Sequence, residues 1–202
     1  MLPELLQKTI TTALESVQKN EKHDLLPLYR RNIYQVMNSD NFGVQRLVTL
    51  SSFSVLKVID IWDQERPKDD RPLQLIKLAE DAATGRVSRH QAEQQALAAW
   101  HWSTNEYLDR LEPVSDAACF VLDAAVRTVM IALGYNTYDS VALDEQVTDY
   151  DLDAYTRDAA VNAVMAVAGP IWKADSDSGE RLKFWLWWLQ DANPSAWSVG
   201  QH

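Results

Sequence analysis

Cys119 is the lone cysteine, so no disulfide can staple the chain to itself, in keeping with a reducing compartment. Glycine and proline are sparse as well, 6 and 7 in 202 residues. Basic residues are outnumbered, 19 against 29 acidic ones. The resulting charge of -10 and pI near 4.8 argue against a surface that grips phosphate backbones, so nucleic acid is not an expected partner. Long apolar runs are missing too. The stretch from Ala159 to Trp172 covers about fourteen residues and contains Asn162, against roughly 20 needed to cross a bilayer. The start, Met1-Leu2-Pro3-Glu4, lacks the basic and apolar regions of an export signal, so the cytoplasm is the expected location and no membrane partner is expected.

Hydrophobic residues make up 47% of the chain and charged ones 24%, an ordinary globular balance, and the length suits one domain over residues 1–202 with a single core. Apolar residues recur at spacings of three and four almost throughout, which predicts an all-α fold: a multi-helix bundle of about eight helices. Leu2, Leu6, Ile10, Ala13, Leu14 and Val17 form one stripe of a first amphipathic helix. Further helices are predicted near Leu25–Met37 and Val44–Trp62. A fourth is capped by Asp70 or Arg71, carries Pro72 in its first turn and is stopped by Gly85. Ser88-Arg89-His90-Gln91 reads as a capping box that opens a fifth helix to about Leu111. A sixth runs from Pro113 to Gly134, a seventh from Asp151 to Gly169, and an eighth from Glu180 to Ala192, before Asn193-Pro194.

The segment Asp123–Gly134 returns 35 residues later as Asp158–Gly169, identical at seven of twelve positions. Small alanines allow close helix approach and each glycine supplies a left-handed stop, so two equivalent core helices account for the echo. Solenoid-like stacking is the other reading, although repeat arrays need about three copies.

Catalytic signatures are scarce. The histidines are His23, His90, His101 and His202, without HExxH; His90 and His101 share a helix face but lie about 16 Å apart at 1.5 Å rise per residue, too far for one metal ion. His101, between Trp100 and Trp102, reads as a partly buried core residue, with a small-ligand pocket there as the alternative. Cys119 sits among alanines as a small hydrophobe. The Asp149-Tyr150-Asp151-Leu152-Asp153 run is no calcium loop, because Ala154 and Ala160 stand where Gly and Glu are required. No metal and no cofactor are expected.

Two features point to partners. Asp139, Asp144, Glu145, Asp149, Asp151, Asp153 and Asp158 face only Arg157, a local balance of -6. That stretch is either a solvated loop whose last aspartates cap the seventh helix, or an acidic patch that steers a basic protein, with Asp144, Glu145, Asp149 and Asp151 as the contact residues. Phe184-Trp185-Leu186-Trp187-Trp188-Leu189 places apolar side chains all round a helix. They must be covered, either by the monomer's own core or by a second protein, with Trp185 and Trp188 as interface anchors and a homodimer as one form of that cover.

Trp62, the run Arg66-Pro67-Lys68-Asp69-Asp70-Arg71-Pro72, then Ile76, Ala79 and Gly85, resemble the "P-x-D-x-R-P, x-x-x-I, G" core of an all-helical family of immunity proteins from bacterial polymorphic toxin systems. The alanines at Ala92, Ala96 and Ala99, then Ala117, Ala118, Ala124 and Ala125, fit the same pattern, and the resemblance spans roughly Val55 to Tyr135. It implies a cytoplasmic protein, not an enzyme, that binds and blocks a cognate toxin encoded beside it. The readings from other classes are a helical enzyme or small-ligand binder near Trp100, His101 and Trp102, and a structural homodimer joined through the tryptophan helix.

Overall fold

The computed structural model describes residues 2–109, 114–135, 138, 142–153 and 156–200, with backbone alone at 104–109. Among these residues every regular element is helical: α1 (Glu4–Lys19), α2 (Pro27–Met37), α3 (Gly43–Lys57), α4 (Ile59–Glu65), α5 (Arg71–Ala83), α6 (Arg89–Asp109), α7 (Asp116–Ala132), α8 (Ala159–Ala168), α9 (Ser178–Trp187), a π-helical turn (Trp188–Ala192) and α10 (Asn193–Trp197). The expected ends near Leu111 and Pro113 lie outside the described residues, as do Asp139 and His202. No helix among the described residues is long and apolar enough to cross a membrane.

Helix α7 is the axis of the bundle, packed against α3, α4, α5, α6 and α8. Contacts are thus not confined to chain neighbours, as they would be in a solenoid. The two echoed segments do pack on each other, and Ala124 and Ala125 of α7 and Ala159, Ala160 and Ala163 of α8 are all buried. Their leading aspartates differ: Asp158 is the N-cap of α8, whereas Asp123 lies inside α7 and accepts a 2.9 Å hydrogen bond from the Ser103 hydroxyl. Gly134 and Gly169 adopt φ of +77° and +72°, the left-handed geometry that releases the chain at the end of each helix.

Three boundaries depart from expectation. The helix predicted over Val44–Trp62 breaks at Val58 (φ -121°), where the Val58 amide bonds to the Val55 carbonyl three residues back; the turn keeps both Val58 and Trp62 in the core. Asp70 is the N-cap residue of α5, as expected, but its side chain makes no capping bond and instead accepts from Gln74 Nε2 at 2.7 Å. Asp69 accepts from the Arg71 amide at 3.1 Å and pairs with the Arg71 guanidinium, while Trp62 Nε1 donates to the Asp69 carbonyl at 2.5 Å and Arg71 lies 3.4 Å from the Trp102 ring centre. The Arg-Pro segment is therefore a clamp joining α4, α5 and α6. Helix α8 begins at Asp158, not Asp151. Finally, Asn193-Pro194 does not end the last helix. Proline has no amide to give the carbonyl four residues back, and the π-helical turn absorbs the mismatch while Asn193 Nδ2 donates to the Trp188 carbonyl at 2.7 Å.

Of the two covers for the tryptophan helix, the structure shows the monomer's own core. Trp185 and Trp188 are both 0% exposed, in edge-to-face contact at 5.7 Å, with Tyr34 packed on Trp188 at 6.0 Å. The expectation that these two rings form an interface is corrected accordingly. Trp185→Ala leaves a large void and should cost about 3–5 kcal/mol in urea denaturation, with the native fraction keeping its gel-filtration volume; unchanged stability would contradict the core assignment.

Candidate functional site

Helix α2 starts at Pro27, which needs no amide partner in the first turn, and one turn of helix places Arg30 on the stripe that also carries Ile33, Tyr34 and Met37. That stripe faces the core, so the guanidinium is fully buried. It is matched there by groups from distant parts of the chain. Nη1 and Nη2 reach the two carboxylate oxygens of Asp149 at 3.0 and 2.5 Å, and Nε donates to Asp158 Oδ2 at 2.8 Å. The Tyr138 hydroxyl accepts from Nη2 at 2.8 Å and donates to Asp158 Oδ2, and Nη1 also donates to the Leu25 carbonyl. The other oxygen of Asp158 caps α8 by accepting from the Val161 amide at 2.8 Å. Tyr34 stacks on Tyr138 at 6.3 Å, and the Trp185 ring lies 5.5 Å from the guanidinium carbon.

A second buried pair adjoins this one. Arg181 of α9 lies 3.7 Å from Asp24, both about 1% exposed, and donates to the Gly169 carbonyl and the Ser176 hydroxyl. When all are ionised, Arg30 and Arg181 oppose Asp24, Asp149 and Asp158, which leaves one negative charge in excess. Burial pushes the Asp149 carboxyl up from 3.8 to about 7 against the opposing pull of Arg30, with Asp24 adding to the rise. For Arg30, burial alone would lower the guanidinium, but the charge of Asp149 and its neighbours outweighs it and holds the group well above its usual range. Sealed from water, this network offers no access to a substrate and ties α2, α8 and α9 to the connection between α7 and α8.

That connection turns some side chains inward and others to solvent. Asp151 accepts from the Thr148 amide and hydroxyl at 2.8 and 2.7 Å, which closes a tight turn; Asp149 and Leu152 point inward, and Tyr150, Asp151 and Asp153 are exposed. Of the carboxylates expected at a partner surface, Asp144, Glu145 and Asp151 are exposed. Asp144 accepts from the Gln146 and Val147 amides, and Glu145 from the Tyr29 hydroxyl at 2.9 Å. Asp149 does not join them, because Arg30 draws it into the core; its place at the partner surface is corrected. His101 is exposed on α6 beside Trp100, not part of the core, and Trp102 is engaged by Trp62 and Arg71. Among the described residues no group of three or more His, Cys, Asp or Glu side chains is placed to hold a metal ion. Sequence reading missed Arg30 as the centre of the network; its place on the Ile33–Tyr34–Met37 stripe is the signal that marks it as buried.

These features define an acidic all-helical bundle with a sealed charged centre and its carboxylate-rich connection turned to solvent. The family model described as Immunity protein Imm5 matches residues 10–195, and the chain belongs to that family. No curated protein matches it.

A carboxyl that ionises near pH 7 in the folded chain and near 4 when unfolded binds more protons folded than unfolded between those limits. Its contribution to stability is therefore full below about pH 4 and is lost as pH rises toward 7. Compared with Asp149→Asn, the wild type should lose ground steadily between pH 4 and 7.5 in denaturant titrations; a difference that is flat or of opposite sign contradicts the assignment.

Proposed function

We propose that this protein is a stoichiometric, non-catalytic inhibitor that binds and neutralises a cognate bacterial toxin domain in the cytoplasm. Membership of the immunity family over most of the chain carries this reading. The exposed carboxylates Asp144, Glu145 and Asp151 are the contact residues we assign to it. Their field attracts a basic surface and acts mainly on the association rate.

Co-expression with the toxin domain encoded in the adjacent reading frame should restore growth, and the two proteins should co-elute on gel filtration. Equal killing with and without this protein, and no complex, would rule the reading out.

Charge steering has a separate test. Asp144→Asn combined with Asp151→Asn keeps an acceptor oxygen for each turn but removes two charges. Association should slow several-fold at low salt and its salt dependence flatten, since exposed charges are screened over about 8 Å at physiological ionic strength. An unchanged rate and salt slope would leave these carboxylates as a solvated loop.

A further inference from the structure

We propose that the paired rings of Tyr150 and Trp172 form the anchor on which a lysine- or arginine-bearing surface of the toxin domain docks. This rests on the toxin-binding reading and names the face that performs it. Tyr150 is 68% exposed and Trp172 38%, and their ring centres lie 5.9 Å apart although the residues come from separate connections, before α8 and after it. With Leu26 and Ile171 they line a shallow groove against the turn between α1 and α2. Apolar rings left together at a surface cost hydration free energy unless a partner covers them, and tyrosine and tryptophan dominate the energetic centres of interfaces.

Charge selects the partner. The exposed carboxylates Glu21, Asp144, Glu145, Asp151 and Asp153 belong to the same turn and connection and outnumber the cations there, Lys22, whose ammonium donates to the Ile171 carbonyl at 3.1 Å, and the half-buried Arg157. Of the two rings, Trp172 already carries a cation, the Arg157 guanidinium 4.6 Å from its centre, and the largely solvated ring of Tyr150 offers the same kind of seat to an incoming side chain. The groove is also presented rigidly. Tyr150 sits between Asp149, paired with buried Arg30, and Asp151, bonded twice to Thr148, with buried Leu152 just beyond. Little loop entropy is lost on docking, so contact area there converts efficiently into affinity. In this arrangement the sealed charge network serves to hold the docking residue in place.

The test uses the full chain and, as probe, the purified toxin domain from the adjacent reading frame, with kinetics read by surface-immobilised binding. Tyr150→Ala should weaken the complex by about 30-fold or more, chiefly through faster dissociation, with the thermal midpoint within a few degrees of wild type. Tyr150→Phe, which keeps the ring, should restore most of the affinity, and Leu97→Ala on exposed α6 should change nothing. Wild-type binding that Tyr150→Ala and Trp172→Ala both leave unaltered overturns the docking face while the immunity reading stands. No binding and no protection by the wild type overturns both. A wild-type dimer in light scattering that Tyr150→Ala converts to monomer shows a self-interface and also overturns the proposal.

Discussion

A guanidinium sealed from water is the constraint around which this bundle is arranged. Desolvating Arg30 and its carboxylates costs several kcal/mol per ion, and that cost is offset only when the geometry is complete. Completion requires the Leu25 carbonyl, Tyr138, Asp149 and Asp158 to arrive together from segments as much as 128 residues distant from Arg30 in sequence. The α1–α2 turn, the α7–α8 connection and the first turn of α8 are thereby fixed to one another. Asp158 shows the economy of the device: one oxygen caps a helix and the other neutralises the arginine, so helix initiation and core assembly depend on the same side chain.

Aromatic packing supplies the low-dielectric surroundings that make those contacts strong. Tyr34, Tyr138, Trp185 and Trp188 enclose the ion pairs, and the π-helical turn carries Trp188 and Leu189 inward while allowing the chain to continue past Pro194. Separately, the Asp69–Arg71 pair with Trp62 and Trp102 clamps α4, α5 and α6, all packed on α7. The Arg-Pro segment thus belongs to the scaffold.

The surface follows from the interior. Because Asp149 and Leu152 are held inward, the residues between and beside them are obliged to face solvent, and the connection displays Tyr150, Asp151 and Asp153 in a fixed order. Recognition of another folded protein, the role we propose for this member of an immunity family, calls for such a pre-formed face more than for a cavity.

The 3.6-residue spacing of apolar side chains determined by itself that the protein is all-helical, and local chemistry placed several ends: Pro72 in a first turn, Ser88 as a cap, Gly134 and Gly169 at stops. The Arg66–Pro72 run likewise carried the family resemblance. These signals are local, so a window of a few residues contains them. Tertiary structure decided the break at Val58, the continuation through Asn193-Pro194 and the start of α8 at Asp158, each set by burial or partners outside the window. It also decided which aspartates of the acidic stretch face solvent. Asp149 and Asp151 are chemically the same residue two positions apart, and only Arg30, 119 residues from Asp149 along the chain, separates them by claiming one for the core. Charge is written in the sequence, but its direction depends on a counter-ion that arrives only when the chain folds.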